Sequence, residues 1–294
     1  MKAGFVALIG RPNAGKSTLL NRLVGAKLAI VSDKPQTTRT RIVGVKHRAD
    51  AQIVFVDTPG IHRPLHRMNV RMVDAAVDAA RDVDVVGLIV DVVEPPGKGD
   101  RFVLDLLQDV KAPVFLILNK IDRIRKPRLL PLIQQYAAME RFAEIVPVSA
   151  TTGENVDRLE RAIVERLPEG EPLYPEDYLT DQPERVLAGE LVREKLLQFT
   201  RAELPFSSAV VVDRFEEASG DGGLLKLYCT IVVERESQKP IVVGRGGEMI
   251  KRIGTAARED LERFFGTRVF LDLHVRVKSE WREDDAVLNR IGLE

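Results

Sequence analysis

Close to its start the chain carries Gly10-Arg11-Pro12-Asn13-Ala14-Gly15-Lys16-Ser17, the pattern G-x-x-x-x-G-K-[ST]. Before it, Phe5, Val6, Ala7, Leu8 and Ile9 form one apolar run that reads as a buried strand. After it, Leu19, Leu20, Leu23 and Val24 recur at helical spacing. Strand, glycine-rich turn and helix in that order make a phosphate cradle. Gly10 and Gly15 let the backbone curl so that successive N–H groups point inward. A helix beginning near Gly15 adds its positive end. Lys16 can reach the β- and γ-phosphates, and the Ser17 hydroxyl can ligate Mg²⁺.

The rest of residues 1 to 170 continues the alternation of strand and helix. Strands are expected at 4–10, 41–48, 51–57, 84–91, 113–119 and 143–148. Helices are expected at 15–25, 67–80, 98–109, 127–138 and 154–166. This is an α/β pattern, a mostly parallel six-stranded sheet with helices on both faces. Only Ala49 and Asp50 separate the second and third strands. So short a link makes an antiparallel hairpin, because a parallel crossover needs a dozen residues or more. The stretch 29–40 is polar and aperiodic and reads as a loop.

Pro168, Pro172, Pro175 and Pro183 then fall within one short polar stretch. Proline at this density breaks regular structure and stiffens a spacer. The expected division is a first domain over 1–170, a linker over 171–183 and a second domain over 184–294. The second domain reads as helix 184–202, strands 207–216 and 224–235, a short helix 238–243, helix 247–264, strand 268–278 and a last helix from about Glu280.

Composition excludes more than it suggests. The 294 residues hold 44 Lys+Arg and 44 Asp+Glu, so net charge points to neither nucleic acid nor membrane. The single cysteine, Cys229, cannot form an internal disulfide. No apolar run approaches the ~18 residues of a membrane span. The first strand begins so early that no leader peptide is expected.

Three further stretches belong with the phosphate cradle. Asp57-Thr58-Pro59-Gly60 ends the third strand, where a carboxylate can hold Mg²⁺ through water and the Gly60 N–H can meet the γ-phosphate. Sheets of this kind bind ligands outside the carboxyl ends of their strands. Asn119-Lys120-Ile121-Asp122 follows the fifth strand. An ionised Asp122 only accepts hydrogen bonds. Guanine offers N1–H and N2–H₂ side by side and adenine does not, so this carboxylate selects guanine. The Lys120 stem can cover the base while its head stays wet. Ser149-Ala150 ends the sixth strand and can aim a backbone N–H at guanine O6. In the loop before the second strand, Gln36-Thr37-Thr38-Arg39 offers a threonine to complete Mg²⁺ coordination and sense the γ-phosphate. Thr38 is favoured over Thr37.

These motifs in this order resemble the Ras-like GTPase superfamily. The Q-T-T-R loop and the second domain narrow the resemblance to the bacterial Era group. The resemblance implies GTP and GDP binding by Gly10, Asn13, Ala14, Gly15, Lys16, Ser17, Thr18, Asp57, Gly60, Asn119, Lys120, Asp122, Ser149 and Ala150. It implies Mg²⁺ on Ser17, Thr38 and Asp57, and hydrolysis served by Lys16, Thr38, Gly60 and Asn13. One departure from Ras itself matters. Ile61 stands where Ras places the glutamine that orients the attacking water, and isoleucine cannot hydrogen-bond water. Some GTPases with this replacement use a phosphate-loop asparagine to bind K⁺. Asn13 has that position here, and fixing the loop backbone is its equal alternative.

In the second domain, Val243-Gly244-Arg245-Gly246-Gly247 precedes a helix whose Met249, Ile250, Ile253, Ala257 and Leu261 recur at core spacing. The element order resembles the KH domain of type II, in which a G-x-x-G loop clamps four single-stranded nucleotides. RNA is therefore expected on Gly244, Arg245, Gly246, Gly247, Lys251 and Arg252. Residues 176–294 hold 18 Lys+Arg and 23 Asp+Glu, so this acidic domain needs a local basic patch. Lys239, Arg245, Lys251, Arg252 and Arg258 supply it, with Glu248 the one acid among them.

The resemblance implies a cytoplasmic monomer that binds 16S ribosomal RNA near its 3′ end and assists assembly of the 30S subunit. An alternative is a regulatory GTPase held peripherally at the inner face of the cell membrane, its second domain binding protein or lipid. A third, an RNA-modifying enzyme, is disfavoured because no Cys/His or nucleophile cluster lies outside the nucleotide site.

Overall fold

Strand β1 (Lys2–Gly10) is the centre of the first unit, and its alternation explains the layers. Val6 and Leu8 face one side, Ala7 and Ile9 the other, and all four are fully buried. The computed structural model describes residues 1–34, 37–61, 67–94, 97–200, 204–217 and 223–293, with backbone alone at 205 and 206. Gln36 of the expected switch loop and residues 201–202 of the expected sixth helix lie outside the described residues.

Around β1 the sheet order is β2-β3-β1-β4-β5-β6, with β2 (Ile42–His47), β3 (Ala51–Asp57), β4 (Val85–Asp91), β5 (Val114–Asn119) and β6 (Glu144–Val148). Only β2 runs antiparallel, against β3, as the two-residue link requires. Helices α1 (Lys16–Val24) and α5 (Val156–Arg166) cover the Val6–Leu8 face through Leu19, Leu20, Leu23, Leu159 and Ile163. On the other face α2 (Arg67–Arg81), α3 (Lys98–Leu106) and α4 (Lys126–Ala137) contribute Ala76, Val103 and Tyr136. The helix expected to reach 109 ends at Leu106.

The proline-rich stretch is not a free spacer. The chain divides into two compact units, and residues 171–181 belong to the first. They strap the edge strand β2. Val45 N–H donates to the Leu179 carbonyl at 2.9 Å, and the Thr180 hydroxyl donates to the Val43 carbonyl at 2.6 Å. Gln52 accepts from the amides of Leu173 and Tyr174, at 2.7 and 2.9 Å, and donates back to the Tyr174 carbonyl. Tyr174 and Tyr178 stack at 4.5 Å and pack with Val43, Val45, Val54 and Val56. An open edge invites pairing with another chain, and the strap satisfies it. Local stiffness was legible in the prolines; the strand they cover was not.

The second unit, from Gln182, holds α6 (Glu184–Phe199), α7 (Leu204–Ser207), β7 (Ser208–Glu216), β8 (Leu224–Val233), α8 (Lys239–Val243), α9 (Glu248–Phe265), β9 (Arg268–Val277) and α10 (Asp285–Arg290). Its sheet order is β7-β8-β9, with β7–β8 antiparallel and β8–β9 parallel. The core joins α6 and α9 to the sheet through Leu191, Val192, Leu227, Cys229, Ile253, Ala257 and Leu261. Met249 packs at the edge of this cluster, whereas Ile250 is half-buried outside it. Instead of one helix from Glu280, the chain makes a tight turn over Trp281–Glu283 and then α10. The Trp281 ring is fully buried and donates to the Ser207 carbonyl at 3.0 Å. Asp284 caps α10 by accepting from Val287 N–H at 3.1 Å, a contact worth about 1 kcal/mol.

Candidate nucleotide and RNA sites

The phosphate loop joins β1 to α1 at the carboxyl end of the sheet. Gly15 has φ +96, and a Cβ there would stand 2.1 Å from Asn119 Nδ2, so only glycine fits. Lys16 is buried, and its ammonium donates to the carbonyls of Gly10 at 3.2 Å and Arg11 at 3.0 Å. Asn13 is exposed with φ 62, a left-handed conformation that asparagine tolerates better than most residues. Arg11 reaches out of the loop to Asp100 and Glu94, each at 3.1 Å, and so anchors the loop to the start of α3.

Three expected metal ligands converge. Ser17 Oγ donates to Asp57 Oδ2 at 2.7 Å and lies 2.6 Å from Thr38 Oγ1. Asp57 Oδ1 is buried with no hydrogen-bond partner. Burial pushes the Asp57 carboxyl up to about 6, with Lys16 opposing the shift. Burial likewise lowers Lys16 to about 8, with Asp57 opposing. One orphaned carboxylate oxygen beside two hydroxyls is a hard, oxygen-only donor set, which fits Mg²⁺. Ser17, Thr38 and Asp57 are the residues that would hold it, and the ion would set positive charge against phosphate oxygens.

The Asp57–Gly60 turn lies directly on the phosphate loop. A Cβ on Gly60 would come within 2.7 Å of Pro12 backbone atoms, and Ile61 N–H donates to the Gly10 carbonyl at 3.1 Å. The Gly60 amide makes no hydrogen bond among the described residues, which leaves it available to phosphate. Thr58 donates to the Leu8 carbonyl at 2.8 Å and locks the turn onto β1. Ile61 is a core side chain, packed with Ala7, Ile9 and Val86.

Asp122 sits exposed in the short turn Ile121–Arg123, its carboxylate without a partner among the described residues. Lys120, at φ 69, has a partly buried head that is held by an ion pair. Its ammonium pairs with Asp91 at 2.6 Å, which fixes the side chain beside the expected base. Asn119 is a tie. Its Nδ2 donates to the Ala14 carbonyl at 2.8 Å, and its Oδ1 accepts from Ala150 N–H at 3.0 Å. Ala150 N–H serves Asn119, and Ser149 N–H serves the Glu154 carbonyl at 3.0 Å. Thr18 lines an open cleft with Arg22, Ala150 and Thr151. Arg22 donates to the carbonyls of Ala150 and Thr151, steadying that turn from α1. Sequence gave no signal for Arg22, Asp91 or Asp100, because long-range partners have no fixed spacing.

In the second unit, Gly244 (φ +75), Gly246 (φ +60) and Gly247 (φ +83) form the turn between α8 and α9. Nothing lies within 4 Å of a Cβ built on Gly246 or Gly247, so the backbone is open to a ligand. Arg245 and Lys251 are exposed. Arg252 lies over the Phe199 ring at 4.1 Å. Lys251 and Arg252 share their cleft with Glu248 and Glu259, so the patch is less purely basic than its sequence window indicates. Ile241, 51% exposed on α8, gives the loop an apolar neighbour.

Residues 5–120 match a family described as 50S ribosome-binding GTPase, and residues 203–282 match the KH domain. The GTPase Era of Geobacter metallireducens is 49% identical over 291 residues, covering 99% of this chain and 97% of that protein. A crystal structure of Aquifex aeolicus Era bound to GDP·AlF₄⁻ superposes with a TM-score of 0.95 at 41% identity, covering 100% of this chain and 99% of that one. Era in complex with MgGDPNP and nucleotides 1506–1542 of 16S ribosomal RNA gives the same score, identity and coverage. Likeness at this level, across both units and nearly every residue, means that this chain is a GTPase and belongs to the Era family.

Proposed function

We propose that this chain is a GTP-driven switch that binds 16S ribosomal RNA near its 3′ end and assists maturation of the 30S subunit. The observation that carries the reading is the presence in one chain of the Ser17–Thr38–Asp57 cluster and an open glycine loop at Gly246 and Gly247. Thr38 comes from the loop before β2, so its hydroxyl links that loop to the nucleotide site. A relative at 41% identity was solved with such an RNA and a GTP analogue together. Against the membrane-linked alternative stands the C-terminal segment, whose described residues bury Trp281, Val287 and Leu288 and present no exposed amphipathic helix.

The test is Gly246→Asp. Aspartate tolerates a positive φ, and Gly246 has open space around it, so the variant folds. It places negative charge where the RNA backbone must approach. RNA affinity should fall by about 1–3 kcal/mol while GDP affinity stays unchanged. Normal retention of RNA on a filter would remove the glycine loop from the interface.

Hydrolysis needs a device other than residue 61, since the Ile61 side chain is in the core. Asn13 is proposed to hold K⁺ beside the transferring phosphate. Turnover should then be faster in K⁺ than in Na⁺, and Asn13→Ala should erase the difference. Equal rates of the unaltered protein in the two salts would rule the cation out.

A further inference from the structure

The sheet of the second unit has an outer face that the glycine loop does not use. Its inner face packs α6 and α9. On the outer face, α10 lies against one end of β7, where Arg290 donates to Asp213 at 2.8 Å and Val211 is buried. Beyond that end the face is open. Residues two apart share a face of a strand, so Arg268, Phe270, Asp272, His274 and Arg276 of β9 stand together, beside Lys226 and Tyr228 of β8. Tyr228 and Phe270 form an aromatic pair with ring centroids 5.8 Å apart. Phe270 is 46% exposed, a large apolar ring left in water on the edge strand of the sheet. The Arg214 guanidinium lies over the Tyr228 ring at 5.5 Å, and its side chain is exposed.

Charge on this face runs opposite to that of the unit. Glu216 is already paired with Arg214 and Lys226, and Asp272 with His274. Arg268 and Arg276 have no ion-pair partner among the described residues. Three arginines and one lysine exceed the two acids, in a region whose residues 176–294 carry more acid than base. An aromatic pair flanked by unpaired arginines suits flat, anionic ligands. Bases stack on exposed rings and guanidinium planes irrespective of sequence, and the cations follow the phosphates. A protein-binding face would show the opposite, a core depleted of charge.

We propose that this outer face is a second single-stranded RNA site, with bases stacked on Phe270 and on the Arg214–Tyr228 pair and phosphates held by Arg268 and Arg276. The proposal rests on the reading that the chain binds RNA. The helices α8 and α9 that carry the glycine loop belong to the inner layer, so the two sites lie on different faces of one sheet. RNA longer than the four nucleotides of a glycine-loop clamp would engage both.

The test uses the full chain and a uridine-rich single-stranded RNA carrying iodouridine. Phe270→Ala should weaken binding about tenfold, with GDP affinity and thermal unfolding unchanged, and Phe270→Tyr should restore it. Photocrosslinks should fall on Tyr228 or Phe270 and persist in Gly246→Asp. Unaltered affinity in Phe270→Ala, or crosslinks confined to 244–252, would overturn the proposal while leaving RNA binding by the glycine loop intact. No binding by the unaltered protein would sink both readings.

Discussion

Replacing Lys16 by alanine should abolish tight binding of GDP and GTP while the chain stays folded. Lys16 is buried and aimed along the loop, where it donates to the Gly10 and Arg11 carbonyls. Those carbonyls line an open cradle, so water can replace the ammonium. Burial holds the lysine down to about 8, which means the folded chain pays a desolvation cost to keep this charge there. Removing it relieves that cost and leaves Asp57 without its counter-charge, so the two effects on stability oppose each other. For the nucleotide nothing opposes. Losing one partner of a desolvated, hydrogen-bonded charge pair costs about 2–5 kcal/mol, on the order of 10²–10³ in affinity or more. Calorimetry with GDP decides it, with thermal unfolding as the control. Unchanged affinity in a folded variant would remove Lys16 from the phosphate site.

What could be read in the sequence was the part that chemistry spaces. A phosphate cradle needs Gly15 and Lys16 adjacent at a helix start, and a base reader needs Asp122 just after a strand. The partners that hold these groups in place come from elsewhere in the chain, at no fixed interval. Asp91 holds Lys120 from across β4–β5, and Arg22 holds the Ala150 turn from α1. Asn119 was legible as part of the site but not in its role, because an amide can face a ligand or the protein with equal ease. Its two bonds to Ala14 and Ala150 make it the brace between the phosphate loop and the base loop. Secondary structure was legible where periodicity was strong, as in α9. It failed at Trp281, where tertiary burial outweighs local pattern, and at the strap it gave the lack of regular structure but not the strand that is covered.

Asp122→Asn should reverse base preference from GTP to XTP. The structure leaves the Asp122 carboxylate exposed and unpartnered among the described residues, so its hydrogen-bonding capacity is available to a ligand. Lys120, held by Asp91, stands two residues away on the same turn. Guanine presents N1–H and N2–H₂, which match two carboxylate acceptors. Xanthine keeps N1–H but carries an oxygen at position 2, which faces carboxylate and is repelled. An asparagine replaces one acceptor by an NH₂ donor. It can donate to the xanthine oxygen and accept from N1–H, whereas against guanine it sets donor to donor. Each mismatched edge is worth about 1–3 kcal/mol. Because the change penalises one base and rewards the other, the swing in preference should be on the order of 10²–10⁴. Nucleotide binding should still require Lys16, since the phosphates are untouched. Competition between GTP and XTP on the variant measures it. Loss of both nucleotides would make Asp122 a structural residue, and a retained preference for GTP would move base reading to another side chain.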